Sequence, residues 1–194
     1  VNGGIYKTIN SGINWTKLPN PPRTEGHPYA IRILSDGALV VSFSARDASG
    51  NNIISQSAGV FYSTNGGNTW SDRTDQAMTY YTTEVSIDPN NENIVYAASG
   101  NSHDWPEAWH ANAIKNNGGI YKSSNKGLNW QRLTPNNNKF NRQFLSVGYD
   151  PVNNYIYGGS HQVGIIRSTD NGNTWQSFNS GLPSGDKIIP QIEV

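Results

Sequence analysis

Short apolar runs alternate with polar turns along the chain, and their length predicts strands rather than helices. The runs are rich in Val, Ile, Tyr and Phe, and Gly, Pro, Asn, Asp and Ser bound them. Twelve of the runs form three consecutive groups of four, labelled A to D in chain order, and each group predicts one four-stranded antiparallel sheet of an all-β fold. The runs are residues 29–34, 38–44, 59–63 and 69–73, then 82–87, 94–98, 119–123 and 129–133, then 143–149, 155–159, 164–168 and 174–178.

One eight-residue pattern recurs four times, at residues 8–15, 63–70, 123–130 and 168–175. It begins with Ser or Thr, continues with Asn or Asp two residues later and Gly after two more, and ends in Trp. Each copy joins run C to run D, and its Trp lies 45 to 60 residues from the next, which is typical of stacked repeats. The twelve repeated positions are Asn10, Gly12, Trp15, Asn65, Gly67, Trp70, Asn125, Gly127, Trp130, Asp170, Gly172 and Trp175.

The chemistry of this pattern indicates a structural turn. An Asn or Asp side chain accepts hydrogen bonds from nearby backbone N–H groups, and Gly adopts a positive φ without a steric penalty. The closing Trp buries a large flat surface against an adjoining strand or sheet. Asn replaces Asp in three of the four copies, which argues against a charged role such as metal ligation.

The pattern resembles the Asp-box, or BNR repeat, of sialidases, xyloglucanase-type glycoside hydrolases, sortilin-type receptors and a photosystem II assembly factor. Those proteins are β-propellers, so the resemblance implies four-stranded blades with an Asp-box between strands C and D. It implies little about activity, because the box is structural in those families. The Arg-Ile-Pro motif expected of a sialidase is absent, since Arg32, Ile33 and Leu34 occupy the corresponding run.

The blades predicted in this way leave the two ends of the chain incomplete. Residues 1–18 form half a blade, residues 19–74, 75–134 and 135–179 form three blades, and residues 180–194 begin another with a strand A. Propellers usually close with four to eight blades, and the similar families reach ten. We therefore expect a larger propeller of six to ten blades, whose remaining blades come from the same chain or from a partner.

Composition narrows the function classes. The 14 basic and 14 acidic residues balance, so neither a nucleic-acid footprint nor a polybasic membrane patch is expected. No apolar stretch is long enough for membrane insertion. The chain has no Cys, which excludes disulfides and thiolate sites and fits poorly with a sortilin-type receptor. The polar, turn-rich composition favours an extracellular or cell-surface protein of bacterial origin.

Long loops predict where a ligand would bind. The A–B and C–D turns share one edge of the sheets and are short, whereas the other edge carries the longer B–C and D–A loops. Residues 100–118 form the richest loop. Three interpretations stay open: a glycan or protein surface, a catalytic or metal site, and rings that only fasten the loop down. Its candidate ligand-binding residues are His103, Asp104, Trp105, Glu107, Trp109 and His110.

The residues leave several chemical alternatives open. Asp104 and Glu107 are weak candidates for glycosidase carboxylates, whereas no metal-ligand spacing is present and no cofactor is expected. The A–B turns that begin at Asp88 and Asp150 allow calcium loops but are more typical of plain turns. The favoured function is a recognition module for glycans or proteins. The alternatives are part of an Asp-box glycoside hydrolase, or a scaffold or assembly factor that binds no small ligand.

One contact between sheets can also be anticipated. When the A strands are aligned on the Asp that ends each one, Arg32, Glu84 and Ser146 share a register on neighbouring inner strands. Arg32 and Glu84 either pair across the interface between the sheets, near the central channel, or are separately solvated there.

Overall fold

The computed structural model describes residues 3–24, 28–43, 58–75, 78, 82–100, 118–135, 144–160, 163–184 and 189–194. Their strands form one two-stranded and three four-stranded antiparallel sheets, and the strands of each sheet follow one another in chain order. This arrangement confirms the all-β fold with four-stranded antiparallel units. The strands are β1 Tyr6–Lys7, β2 Thr16–Lys17, β3 Pro28–Ile33, β4 Leu39–Phe43, β5 Gly59–Ser63, β6 Ser71–Asp72, β7 Thr82–Ile87, β8 Val95–Ser99, β9 Gly119–Ser123, β10 Gln131–Arg132, β11 Phe144–Asp150, β12 Tyr155–Ser160, β13 Ile165–Ser168 and β14 Gln176–Ser177.

The outermost strands are shorter than the sequence predicts. Each D run was expected to give five strand residues, but β6, β10 and β14 have two each. The first residues of each D run belong instead to the turn that precedes the strand. Residues 189–194 carry no strand assignment where an A strand was expected. The Ile189 N–H nevertheless donates to the Ser160 carbonyl, and the Ile189 carbonyl accepts a bond from the Ser146 hydroxyl, so this segment lies beside the third four-stranded sheet.

Alternating side chains in the middle strands fill the spaces between consecutive sheets. In β4, Val40 packs toward the second four-stranded sheet, whereas Val41 packs toward the two-stranded sheet. In β8, Ala97 and Tyr96 divide between the two neighbouring interfaces in the same way. Strand residues point alternately to opposite faces, and both faces of these strands are covered. This explains why β4, β5 and β8 are buried along their whole length.

Candidate functional site

The repeated turn between strands C and D is built from its own side chains. In the second copy, the Ser63 hydroxyl accepts the Gly67 N–H at 2.9 Å, and the Asn65 amide oxygen accepts the Thr69 N–H at 2.9 Å. The Ser63 hydroxyl also donates to that amide oxygen at 3.0 Å. The other copies form the same three kinds of bond with Thr8 and Asn10, Ser123 and Asn125, and Ser168 and Asp170.

Two consecutive left-handed residues close each turn. The repeated glycine has a φ between 85° and 90° in all four copies, and the residue before it also has a positive φ. Gly adopts this conformation without a Cβ clash. The hydroxyl residue that opens the turn was not assigned a role from the sequence. The presence of Ser or Thr at that position in every copy could have indicated this role.

Asp170 is the only acidic residue at the third position of the pattern, where the other three copies have Asn. Its carboxylate accepts hydrogen bonds from the Thr174 hydroxyl at 2.6 Å and the Thr174 N–H at 2.8 Å. These bonds lower the pKa of Asp170, with the Thr174 side chain as the main cause. Both carboxylate oxygens therefore accept hydrogen bonds from within the turn. In the other copies, the Asn amide oxygen accepts the equivalent backbone N–H.

In the last three copies, the Trp that ends the pattern ties its sheet to the preceding one. The indole N–H of Trp70 donates to the Pro19 carbonyl at 2.9 Å, that of Trp130 to the Arg73 carbonyl at 2.7 Å, and that of Trp175 to the Leu133 carbonyl at 3.3 Å. Each acceptor lies just after the D strand of the preceding sheet. Buried indole rings usually find such a partner, so these Trp residues act as anchors between sheets.

The glycine of the turn also contacts the preceding sheet. A Cβ on Gly67 would meet the Leu18 side chain, and one on Gly172 would lie 2.7 Å from Leu133 Cδ1. At the third copy the neighbour is the Arg73 side chain, 3.1 Å from a Cβ on Gly127. The preceding sheet therefore approaches the glycine too closely for a larger residue.

A charged pair spans the inner strands. The Arg32 guanidinium donates to the Glu84 carboxylate at 2.7 Å, which confirms the pairing of these two side chains. The Glu84 side chain is 9% exposed and that of Arg32 is 39% exposed. Burial raises the pKa of Glu84, and the charge of Arg32 only partly opposes this rise. Ser146, the third member of the predicted register, bonds to the backbone of residue 189 instead.

A cavity of about 480 Å³ lies beside this pair, toward the short A–B turns. Its wall includes Arg32, Ser86, Glu92, Tyr149 and Glu193 together with apolar side chains. The Glu92 carboxylate is already bound to the Ser35 N–H and hydroxyl, both at 2.7 Å. Polar side chains therefore line part of this cavity. The Glu92 carboxylate among them already links two neighbouring A–B turns through its bonds to Ser35.

The two turns considered for calcium use their oxygens internally. Asp88 accepts the Asn90 N–H at 2.9 Å. Asp150 accepts the N–H groups of Val152 and Asn153 and the Asn153 side-chain amide, which lowers the pKa of its carboxyl. Side-chain to backbone bonds of this kind are typical of Asx turns. The part of the chain that the structure describes contains no group of three or more His, Asp or Glu side chains placed to hold a metal.

At the long-loop edge, the 100–118 loop is described only at its two ends. Gly100 and Gly118 are buried where the 100–118 loop leaves β8 and enters β9. The Arg132 guanidinium donates to the Gly118 carbonyl at 2.6 Å. The six side chains predicted to contact a ligand lie outside the described residues: His103, Asp104, Trp105, Glu107, Trp109 and His110.

A second arginine fastens a loop of the same edge. Arg23, in the segment before β3, forms a bidentate pair with Asp72 at 2.7 and 3.1 Å and donates to the Ala58 carbonyl at 2.9 Å. Burial raises the pKa of Asp72, but hydrogen bonds from Arg23 and Thr74 outweigh burial and lower it. Arg23 and Arg132 therefore each tie the end of a loop at this edge to a neighbouring segment.

Several solved β-propeller structures are similar to nearly the whole chain. An ancestral GH74 enzyme aligns with a TM-score of 0.65 and 23% identity over 90% of this chain and 21% of that one. The GH74 xyloglucanase from Xanthomonas campestris aligns with a TM-score of 0.62 and 17% identity over 93% and 28%. The extracellular domain of a putative one-component system from B. thetaiotaomicron aligns with a TM-score of 0.63 and 10% identity over 97% and 22%.

The TM-scores establish the fold. Because all three identities are below 25%, the similarities establish nothing beyond the fold. The chain spans between a fifth and a third of the length of each of these structures. No protein-family model and no curated protein matches its sequence. The described residues include no helix able to cross a lipid bilayer. The three four-stranded sheets are therefore consecutive blades of a β-propeller.

Proposed function

We propose that this chain is part of an extracellular β-propeller recognition module whose long-loop edge binds a glycan or a protein partner. The observation that carries the proposal is the contrast between the two edges. At the short-turn edge, the polar groups of the repeated turns and of Glu92 are used to hold the turns and the blades together. The opposite edge carries the long connections, and loops mounted on a rigid scaffold are where binding sites concentrate.

The 100–118 loop is the proposed contact element. Trp105 and Trp109 offer large aromatic faces with few rotatable bonds, so stacking on a sugar ring or a partner side chain costs little entropy. Asp104, Glu107 and His110 would orient the ligand through hydrogen bonds, and His103 would add a further polar group. The bond from Arg132 to the Gly118 carbonyl fixes one end of this loop.

The second candidate is a portion of a polysaccharide-degrading glycoside hydrolase. The observation in its favour is the likeness to GH74 structures, one of which is a xyloglucanase. In this case Asp104 or Glu107 would be one carboxylate of the pair that glycosidases use. The third candidate is a scaffold that binds proteins without a small ligand.

A combined binding and hydrolysis assay separates the three candidates. The chain is screened on a glycan array that includes xyloglucan oligosaccharides, and reducing-sugar release is measured on the same glycans. Binding without release supports the recognition module, and release supports the hydrolase. Failure on both assays overturns the glycan form of the proposal and favours a protein-binding scaffold.

A double variant tests whether the loop is the site. Trp105→Ala with Trp109→Ala should abolish binding of any glycan that the array identifies, with a change of only a few degrees in melting temperature. The matched control is Leu128→Ala with Val152→Ala, which removes two exposed apolar side chains from the short-turn edge and should leave binding unchanged. Retained affinity in the Trp double variant would refute the assignment to this loop, and a large loss of stability would show that the rings only fasten it.

A further inference from the structure

Two of the Asn–Gly steps in the sequence lie in the repeated turn, but at different places in it. In the second copy, Asn65 holds the third position of the pattern and Gly66 the fourth. In the fourth copy the step comes one residue later, so that Asn171 precedes the repeated glycine, Gly172. An Asn side chain reacts with its own backbone most readily at an Asn–Gly step, because the next residue has no Cβ to hinder the attack. The two steps therefore share their local chemistry and differ in their surroundings.

The folded structure opposes this reaction at Asn171. The attacking atom would be the Gly172 nitrogen, but the Gly172 N–H donates to the Ser168 hydroxyl at 2.8 Å in a buried position. A Cβ on Gly172 would also lie 2.7 Å from Leu133 Cδ1, so the preceding sheet leaves this backbone little room to move. Attack would break a hydrogen bond that closes the turn, and folding should therefore slow the reaction at Asn171.

The Gly66 nitrogen is placed differently. Among the described residues, no group accepts a hydrogen bond from the Gly66 N–H, and Gly66 is only partly buried. A Cβ on Gly66 would lie 2.8 Å from the Nζ of Lys7, at the far end of that side chain. The Lys7 ammonium is therefore close to the Gly66 backbone, where its positive charge favours loss of the N–H proton.

The side-chain amide of Asn65 is held by groups that favour attack on it. Its Oδ1 accepts the Thr69 N–H at 2.9 Å and the Ser63 hydroxyl at 3.0 Å. Negative charge develops on this oxygen during the attack, and fixed donors around such an oxygen lower the barrier. The Asn65 Nδ2 donates to the Thr69 hydroxyl at 2.8 Å, so this hydroxyl lies next to the nitrogen that must leave.

We propose that Asn65 is a deamidation site of the folded protein. The Gly66 nitrogen loses its proton to water and forms a bond to the side-chain carbonyl carbon of Asn65, which closes a succinimide ring. The bond from that carbon to Nδ2 breaks, and Nδ2 leaves as ammonia with a proton that the Thr69 hydroxyl donates and then regains from water. A water molecule finally opens the ring and leaves an aspartate or an isoaspartate at this position.

The fourth copy of the turn shows how the product is accommodated. The Asp170 carboxylate accepts the Thr174 N–H at 2.8 Å and the Thr174 hydroxyl at 2.6 Å. Thr69 holds the position of Thr174, so after deamidation its hydroxyl would donate to the new carboxylate oxygen. The aspartate product therefore keeps the turn, whereas an isoaspartate adds a methylene group to the main chain and moves the carboxylate away from the Thr69 N–H.

The other two copies provide an internal comparison. Asn10 and Asn125 also hold the third position, and each Oδ1 accepts the same two kinds of hydrogen bond. The next residues are Ser11 and Lys126, whose Cβ atoms hinder the approach of the nitrogen. The Lys126 N–H also donates to the Asn93 carbonyl at 2.9 Å. These two copies therefore keep the donors around the oxygen but lack the glycine.

Peptide mapping by mass spectrometry tests the proposal on the parent chain. The folded chain and the chain unfolded in urea are incubated in the same mildly alkaline buffer, and deamidation is followed at Asn10, Asn65, Asn125 and Asn171. In urea, Asn65 and Asn171 should react at similar rates, because both precede glycine. Folding should raise the ratio of the Asn65 rate to the Asn171 rate by about two- to tenfold, from the hydrogen bond at Gly172 alone. A ratio that folding leaves unchanged would overturn the proposal, and so would a faster reaction at any of the other three.

Two variants test the part that the turn plays. Thr69→Val keeps the backbone donor and the side-chain shape but removes the hydroxyl, and it should slow deamidation of Asn65 by about two- to tenfold. The matched Thr174→Val should leave that rate unchanged. Asn65→Asp is the product form and should melt within a few degrees of the parent chain. With folding checked by circular dichroism, an unchanged rate in Thr69→Val or a large loss of stability in Asn65→Asp would overturn the proposal.

Discussion

Replacing Trp175 by Ala should destabilise the chain far more than the same change at Trp15, although the two residues hold the same place in the repeat. Trp175 is 8% exposed, packs in the core between the second and third blades, and donates to the Leu133 and Gly172 carbonyls. Truncating a buried Trp typically costs about 3–5 kcal/mol. Trp15 is 60% exposed, so in proportion to the surface it buries the loss should be about 1–2 kcal/mol.

The measurement is equilibrium urea unfolding followed by circular dichroism, at one protein concentration for all variants. Trp175→Phe is the matched control, because it keeps an aromatic ring while it removes the N–H and part of the buried indole, and it should cost less than Trp175→Ala. Equal losses at Trp175 and Trp15 would refute the reasoning that the ring stabilises by anchoring one blade to the preceding one.

Two further variants test the contacts between blades. Arg32→Ala should cost about 1.5–3 kcal/mol at neutral pH, because the buried Glu84 carboxylate loses a charged hydrogen-bond partner. Burial raises the pKa of Glu84 above its ordinary value, so this loss should shrink as the pH falls through that raised pKa and the carboxyl protonates. A pH-independent loss in urea unfolding would contradict the pairing. Gly172→Ala should destabilise the chain more than Gly12→Ala, since the φ of both is near 90° but only at Gly172 would the Cβ meet Leu133. Thermal melting of the two glycine variants checks this, and equal shifts would show that backbone strain alone matters.

The candidate ligand site rests on the sequence alone. Its six side chains lie outside the described residues, so their role in binding stays a prediction. The structure contributes the base of the loop, where Arg132 holds the Gly118 carbonyl. Loop positions are hard to predict from sequence because no repeated strand pairing fixes them, and the 17 residues between Gly100 and Gly118 have no counterpart of equal length in the third repeat.

The sequence by itself determined the local structure. The alternation of apolar runs with Gly, Asn and Asp predicted three four-stranded sheets, and the bounds of β5, β7 and β9 match the predicted runs. These features are local, because a strand needs an apolar run and a turn needs a glycine with positive φ. The sequence also suggested the pairing of Arg32 with Glu84, because a repeat places equivalent residues in one register on neighbouring blades.

Only the tertiary structure decided what each copy of the repeat does. The sequence assigns Trp15 and Trp175 the same role, yet one is exposed and the other is buried, because among the described residues a preceding blade packs against Trp175 and none packs against Trp15. In the same way, Arg167 and Lys122 are equivalent in the repeat, but one stacks on aromatic rings and the other binds a turn. A side chain's burial and partners depend on which surface lies against it, and that is a property of the packed blades rather than of the repeat.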